Sequence, residues 1–539
     1  MTAHPVPRTT RRAATAALLT TSFLLTACGS GGSGSDSGGG QARSGGTLTF
    51  AVGSDAGCVD PQQVASNDTI YSVRQIVDSL TDQDPRTGRI VPWLAKSWDI
   101  GADATTFTFH LRSGVTFSDG SRLTAQVVKD NFDAVPKLGA LGTLAEGYLS
   151  GVKNTTVVDP LTVKVTFRQP NAQFLQATST HSLGIESSAS AKRSPQQKCS
   201  QGVVGSGPFV LKQYVQNQSI TLAKRTGYAW GSSLWHKSGE AYLDKVVFKV
   251  VPEAGVRAGS LQSGQVDAIS SVGKANEASL KGGQVTLQRR ANPGVVFGLA
   301  FNNSRPVLKD ARVRQAIGFA IDRKQIADTV FPTGTRPATS VLAHTTPDYA
   351  DLSSDLTTDA AKAKSLLDAA GWKAGSDGIR TKDGRKLSLT VDWIPNSATN
   401  QPALELIQQQ LKSVGVGLTL KQLQVTQLAP TLQSGDFDVA WSNITRADPD
   451  ILRSSFSTGL ANFYRLPASP LDTSLTGQAA TTDTTKRGQL VEQAQQLLVR
   501  NAYYAPVVEL QSQIGVAKKV HGLNFDASSR IQLHDTWIG

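Results

Sequence analysis

Three cysteines and seven histidines have the widest chemical reach in this 539-residue chain, and their spacing decides which chemistry is open. The histidines are dispersed. No HExxH pair and no close His/Cys group of the kind that holds zinc occurs, so neither a metal nor a cofactor is expected. A GxSxG elbow and a Walker-type phosphate loop are also absent. Ser271-Val272-Gly273-Lys274 has the SxxK spacing of penicillin-recognising hydrolases, but no SDN or KTG element accompanies it, and the match reads as chance. Sequence spacing does not reveal a dispersed triad, so these absences lower the enzyme reading without eliminating it. The expectation is a protein that binds rather than catalyses.

Cys28 is the cysteine with a clear context. Arg8, Arg11 and Arg12 precede the uncharged stretch Ala13–Ala27, which is too short for a comfortable transmembrane helix and suits the apolar core of a secretory signal. The stretch ends Leu25-Thr26-Ala27-Cys28-Gly29, which resembles the bacterial lipobox. There the sulfur takes a diacylglycerol and cleavage falls just before the cysteine. Residues 1–27 are therefore expected to be removed, by the general secretory route, and Cys28 to be lipidated. Several acyl chains anchor a protein stably where one is marginal. Gly29 to Gly46 reads GSGGSGSDSGGGQARSGG, a flexible tether over 28–46 with an accidental GxGxxG. Cys58 and Cys199 remain, open to two readings: a disulfide, natural in an exported chain, or two separate buried thiols.

The elements that must position any site are those of an ordinary globular protein, with 39% hydrophobic and 18% charged residues. This length predicts about three or four lobes. The net charge of +12 falls to 12 − 3 = +9 once the signal's three arginines are gone. The basic residues are scattered, so no nucleic-acid partner is expected. Phe107, Phe109 and Leu111 alternate with polar residues, as in a half-buried strand. Thr124 and Asp310 are placed to cap helices. Leu404, Ile407, Leu411 and Val414 mark an amphipathic helix running into a strand at Val416–Leu420, and Lys382-Asp383-Gly384-Arg385 a hairpin turn. Helices and strands interleave throughout, which predicts an α/β or α+β chain with mixed sheets.

Longer segments carry a resemblance. Val91-Pro92-Trp93-Leu94-Ala95-Lys96-Ser97-Trp98 is followed by TFTFHLRSGVTFSDGSRLTAQVVKDNF, then by Val204-Gly205-Ser206-Gly207-Pro208-Phe209 and SLQSGQVDAI at 260–269. LAFNNSRPVLKDARVRQAIGFAIDR (299–323), AAKAKSLLDAAGW (360–372), LELIQQQLKSVGV (404–416) and DFDVAWSNITRADPD (436–450) complete the series. Together they resemble the peptide/nickel (family 5) extracytoplasmic solute-binding proteins of ABC importers, as an actinobacterial-style lipoprotein. The resemblance covers about 47–539. It implies a periplasmic-binding-protein-like α/β fold (type II, cluster C), with two ligand-enclosing lobes plus an extra one. Lobe I would take 46–87, 206–296 and 512–539, lobe II 88–205 and lobe III 297–511. The hinge would lie near Val295–Asn302 and Val508–Gly515. The expected protein is a monomer, anchored on the extracytoplasmic face of the cell membrane. It would close on a small-molecule or peptide ligand, oligopeptides above all, and hand it to ABC permease subunits. A sugar, nickel chelate or opine-like ligand is the rival on the same fold, and an exported hydrolase the rival from another class.

The resemblance also nominates residues. Trp441 lines the cleft in the family, against the plain reading of a core tryptophan. Peptide binders often carry an Asp three residues later, which pairs with the ligand's free amine, and here that position is Ile444, with Asn443 and Arg446 beside it. Asp448 either substitutes for the missing acid or caps the following helix. Arg446 either binds a carboxylate bidentately or is an ordinary surface arginine. Ser54 and Asp55 in the loop after the first strand, Tyr71, and Trp393 and Asn396 after the strand Leu387–Val391 are further expected contacts, because ligands sit at strand ends facing a lobe boundary.

Overall fold

In a computed structural model that describes residues 41–539, residues 42–539 form one compact unit built on three large sheets, with four two-stranded ones beside them. Cys28 and the signal lie outside the described residues. The class is mixed α/β. The first sheet has seven strands. Thr47–Val52 runs parallel to Lys245–Val250 and to Ala268–Ile269, and its neighbours are otherwise antiparallel. Leu48, Phe50 and Val52 alternate into the core, where Phe50 meets Tyr71 edge-on at 5.9 Å and Phe248 at 5.7 Å. The late strand Gln511–Ala517 fills the place between Val285–Ala291 and Ala268–Ile269. This lobe, called lobe I below, is therefore assembled from three separated chain segments.

The second sheet, in lobe II, has four antiparallel strands: Ala95–Ile100, Thr106–Leu111, Thr162–Phe167 and Val152–Asp159. Phe107, Phe109 and Leu111 are fully buried, Phe107 and Phe109 packing edge-on against Phe174. Thr124 accepts the Val127 amide and opens the helix Ala125–Ala134. The segment with Gly205 passes so close to the Ile76 carbonyl that any Cβ there would overlap it.

The third sheet, in lobe III, orders Gly417–Gln422, Ser388–Trp393, Val439–Thr445, Gly294–Phe301 and Tyr504–Val508. The first two are parallel and joined by the helix Asn400–Ser413, which buries Leu404, Ile407 and Leu411. The hairpin turn at Lys382–Arg385 has positive φ at Asp383 and Gly384.

The chain passes between the first and third sheets at 292–293 and again at 509–510. The first crossing is therefore N-terminal to the expected Val295–Asn302, because those residues are already inside the buried strand Gly294–Phe301. Gly294 makes the turn at φ +110°, and a Cβ there would strike the Ile444 carbonyl. The two crossings are tied together. The Asn292 amide donates to the Leu510 carbonyl at 2.8 Å, and Ser512 donates from its amide (3.1 Å) and hydroxyl (2.8 Å) to Asn292 Oδ1.

Cys58 and Cys199 form a disulfide with a sequence separation of 141. Beside it, Lys198 is buried between Asp60 and Glu186, at 3.0 Å from each. Burial pushes the Glu186 carboxyl up, with Asp60 adding to the effect and Lys198 opposing it.

Candidate functional site

The loop after Thr47–Val52 is fixed by Asp68, whose Oδ2 accepts the amides of Gly53 (2.9 Å) and Ser54 (3.0 Å) while Oδ1 accepts the Ser270 hydroxyl at 2.7 Å. Ser54 is exposed. Asp55 accepts the Tyr214 hydroxyl and the Asn217 amide, both at 2.8 Å on Oδ2. Its carboxylate is thus occupied by a turn of lobe I. Tyr71 is 3% exposed, and burial, reinforced by Asp68, raises its pKa.

In lobe III the expected contacts separate. Trp393 is the last residue of its strand rather than a loop residue, and it points with Leu389 and Val391 into the core. Trp441 is 2% exposed, stacks on Phe297 at 5.2 Å and 11°, and donates from Nε1 to Asn400 Oδ1 at 3.1 Å. The structure therefore places Trp441 in packing, not against open space. The antiparallel neighbour supplies Phe297, and the helix Asn400–Ser413 supplies Asn400. Asn396 is exposed and accepts from the same Asn400 at 2.8 Å. Asn443 is half-buried, between Trp441 and Thr445 on one face of the strand.

Asp448 is committed elsewhere. It is 4% exposed, takes Arg487 at 2.6 and 3.1 Å, and accepts the Asp450 amide at 2.8 Å. Both oxygens are used inside lobe III, so the acid has none left for a ligand ammonium.

Arg446 is the expected residue that reaches a junction. Its amide donates to the Pro293 carbonyl at the crossing, and its guanidinium lies 4.5 Å above the Tyr148 ring of lobe II. It borders a cavity of about 20 Å³ with Thr445 of lobe III, Tyr148 and His181 of lobe II, and Ser528 and Arg530 of lobe I. That space admits about one water. Arg530 is 7% exposed, with Nη1 donating to the Ser528 carbonyl at 2.7 Å and Nε without a partner. Neither Arg446 nor Arg530 forms an ion pair among the described residues. His181 is buried, and burial, then Arg530 and Arg74, hold its pKa well below the usual range, so it is neutral at pH 7. Larger cavities lie elsewhere. One of about 560 Å³ is enclosed by lobe I and the 82–86 segment, and one of about 330 Å³ flanks the crossings beside Arg336 and His344. The small cavity differs from both in being walled by all three lobes.

Sequence reasoning missed Tyr148, His181 and Arg530. Each is unremarkable in its own segment, and only the fold brings together positions nearly 400 residues apart.

The chain has relatives throughout this architecture. A profile described as bacterial extracellular solute-binding proteins, family 5, middle matches residues 89–461. The glutathione-binding protein GsiB of Salmonella paratyphi A is 26% identical over 485 residues, 86% of this chain and 88% of that protein. The probable D,D-dipeptide-binding periplasmic protein DdpA of Escherichia coli is 26% identical over 497 residues, 89% and 91% of the two chains. The crystal structure of NikA from Brucella suis in complex with Fe(III)-EDTA superposes with a TM-score of 0.79 at 23% identity, covering 92% of this chain and 100% of that one.

Proposed function

Because the chain belongs to family 5 of the bacterial extracellular solute-binding proteins, and so is a substrate-binding component of an ABC importer, we propose that it captures small peptides by closing lobes I and III about the 292–293 and 509–510 crossings. The observation that carries this reading is the junction at Arg446, where a guanidinium with no ion pair among the described residues borders a space shared by all three lobes. A peptide carboxylate is the natural bidentate partner of such a group. The cavity holds about one water as the lobes now stand, so entry requires the lobes to part and binding favours their closure. Glutathione and D,D-dipeptides, named for two relatives, are both of this chemical size and charge. Asn443, beside Thr445 on the same strand face, is the proposed neighbouring polar contact.

Lipidation at Cys28 and the 29–46 tether would hold this monomer near its permease on the outer face of the membrane. Among the described residues no helix is long and apolar enough to cross a membrane. Incubating the mature protein with a peptide library and identifying retained species by mass spectrometry tests the function. Intact retained peptides support it. Cleavage products would indicate a hydrolase, and recovery of no peptide would refute the peptide reading.

A further inference from the structure

We propose that Arg446 of lobe III and Arg530 of lobe I together form an oxyanion subsite that takes one ligand carboxylate across the closing boundary, and that this site has no need of a free ligand ammonium. The inference rests on the capture reading above and narrows its ligand class to acids, N-blocked peptides included.

The charge balance of the cavity carries it. Two guanidiniums border a space of about 20 Å³, and no acid forms an ion pair with either among the described residues. Arg530 is more than nine-tenths buried, and its Nε has no hydrogen-bond partner. Burying cations without a counter-charge is costly, and an unsatisfied donor adds to the cost. Asp526 Oδ1 accepts the amides of Ser528 and Arg530, both at 2.9 Å, and so shapes the turn that presents Arg530. Asp82 is buried and accepts the Gln83 amide at 2.8 Å. Asp448 is bound to Arg487. An ammonium placed here would be a third cation beside two guanidiniums that form no ion pair among the described residues. A carboxylate instead meets two forked donors from opposite lobes, with neutral His181 and the Ser528 and Thr445 hydroxyls around it. Because the two arginines come from different lobes, one anion compensates both only when the lobes are closed, so the same group supplies recognition and closure.

Calorimetry with Ala-Ala-Ala, N-acetyl-Ala-Ala-Ala and Ala-Ala-Ala-amide, plus succinate as a simple dicarboxylate, tests the subsite on the mature protein. The acetylated peptide should bind within about twofold of the free peptide, and the amide about thirtyfold more weakly. Arg446→Gln and Arg530→Gln should each weaken the acid about tenfold or more while changing the amide less than threefold. Arg530→Lys should recover part of the loss. If Arg530→Gln does not fold, the acid–amide comparison on the unmodified protein still decides. Equal binding of acid and amide, or loss on acetylation, would overturn the subsite while leaving peptide capture standing. Succinate binding that depends on both arginines, with no peptide bound, would keep the subsite and refute the peptide reading. Absence of binding by all four probes would overturn both.

Discussion

Replacing Trp441 by alanine should cost stability of the unliganded protein rather than contact with a ligand. The indole is 2% exposed, lies flat on Phe297, and gives its N–H to Asn400 Oδ1. Deleting a buried aromatic side chain costs about 3–5 kcal/mol, including the cavity left behind. The deletion also removes the donor from Asn400 Oδ1, and a buried acceptor so stranded costs about 1–3 kcal/mol. These terms overlap, so about 5 kcal/mol is the expected loss. Trp441→Phe keeps an aromatic ring over Phe297 and loses the N–H, which predicts about 1–3 kcal/mol. Native-state hydrogen exchange is the fitting assay, because it reads lobe III directly through the amides of Gly294–Phe301 and Val439–Thr445. The alanine variant should lose that protection in lobe III before it affects the seven-stranded sheet. Where the variant remains folded, its affinity for a peptide recovered from the library should stay within about threefold. Unchanged exchange in those strands, combined with a tenfold or greater loss of binding, would refute the core assignment and return Trp441 to the cleft.

Three other outcomes are expected. Reducing the Cys58–Cys199 bridge, with its separation of 141 residues, should destabilise the protein by up to about 5 kcal/mol on a chain-entropy estimate, with the fold intact by circular dichroism; a Tm unchanged by reduction would contradict this. Asp78 is fully buried, and desolvation pushes its carboxyl from 3.8 up to about 6 despite the bonds it accepts from Trp230 and Tyr228. Its favourable contribution is therefore fully present below about pH 4 and lost as pH rises through about 6. Asp78→Asn should thus gain about 3 kcal/mol on the native protein between pH 4 and pH 7.5, and parallel pH profiles would disprove the shift. Cys28→Ala should release the protein from membranes or leave an uncleaved precursor, and a processed variant that still carries acyl label would defeat the lipid anchor.

What the sequence made legible was local. The alternation of Phe107, Phe109 and Leu111 specifies which side of a strand is buried, and the strand Thr106–Leu111 buries that side. Thr124 and Asp310 cap their helices because a short oxygen-bearing side chain before a helix has few better partners than the first free amides. Such relations span a few residues and need no knowledge of the fold. Trp441 is the opposite case. Its strand period tells which face it takes, whereas Phe297 and Asn400, which cover that face, arrive from 144 and 41 positions away. Asp448 illustrates a further limit. A free acid and one consumed by Arg487 look identical in sequence, and only the fold, which sets the turn at Asp448 against the helix Thr484–Arg500, distinguishes them. Arg530 carried no pattern at all, since what singles it out is a space three lobes create and, among the described residues, the lack of an ion pair.

The bonds at Asn292 have a mechanical consequence. Two strands crossing between bodies could let those bodies swing, twist or slide. Here one hydrogen bond joins the crossings, Asn292 to Leu510, and two more tie Asn292 Oδ1 to Ser512 in the adjoining strand of lobe I. Rotation about the line through both crossings leaves these bonds intact, while shear or torsion must pull them apart at about 1 kcal/mol each. On the proposed closure, the lobes would move like a door on fixed pins, with one soft coordinate. Probes attached anywhere on the two leaves should report the same opening angle, and that single angle is all a permease needs to sense in order to distinguish a loaded carrier from an unloaded one.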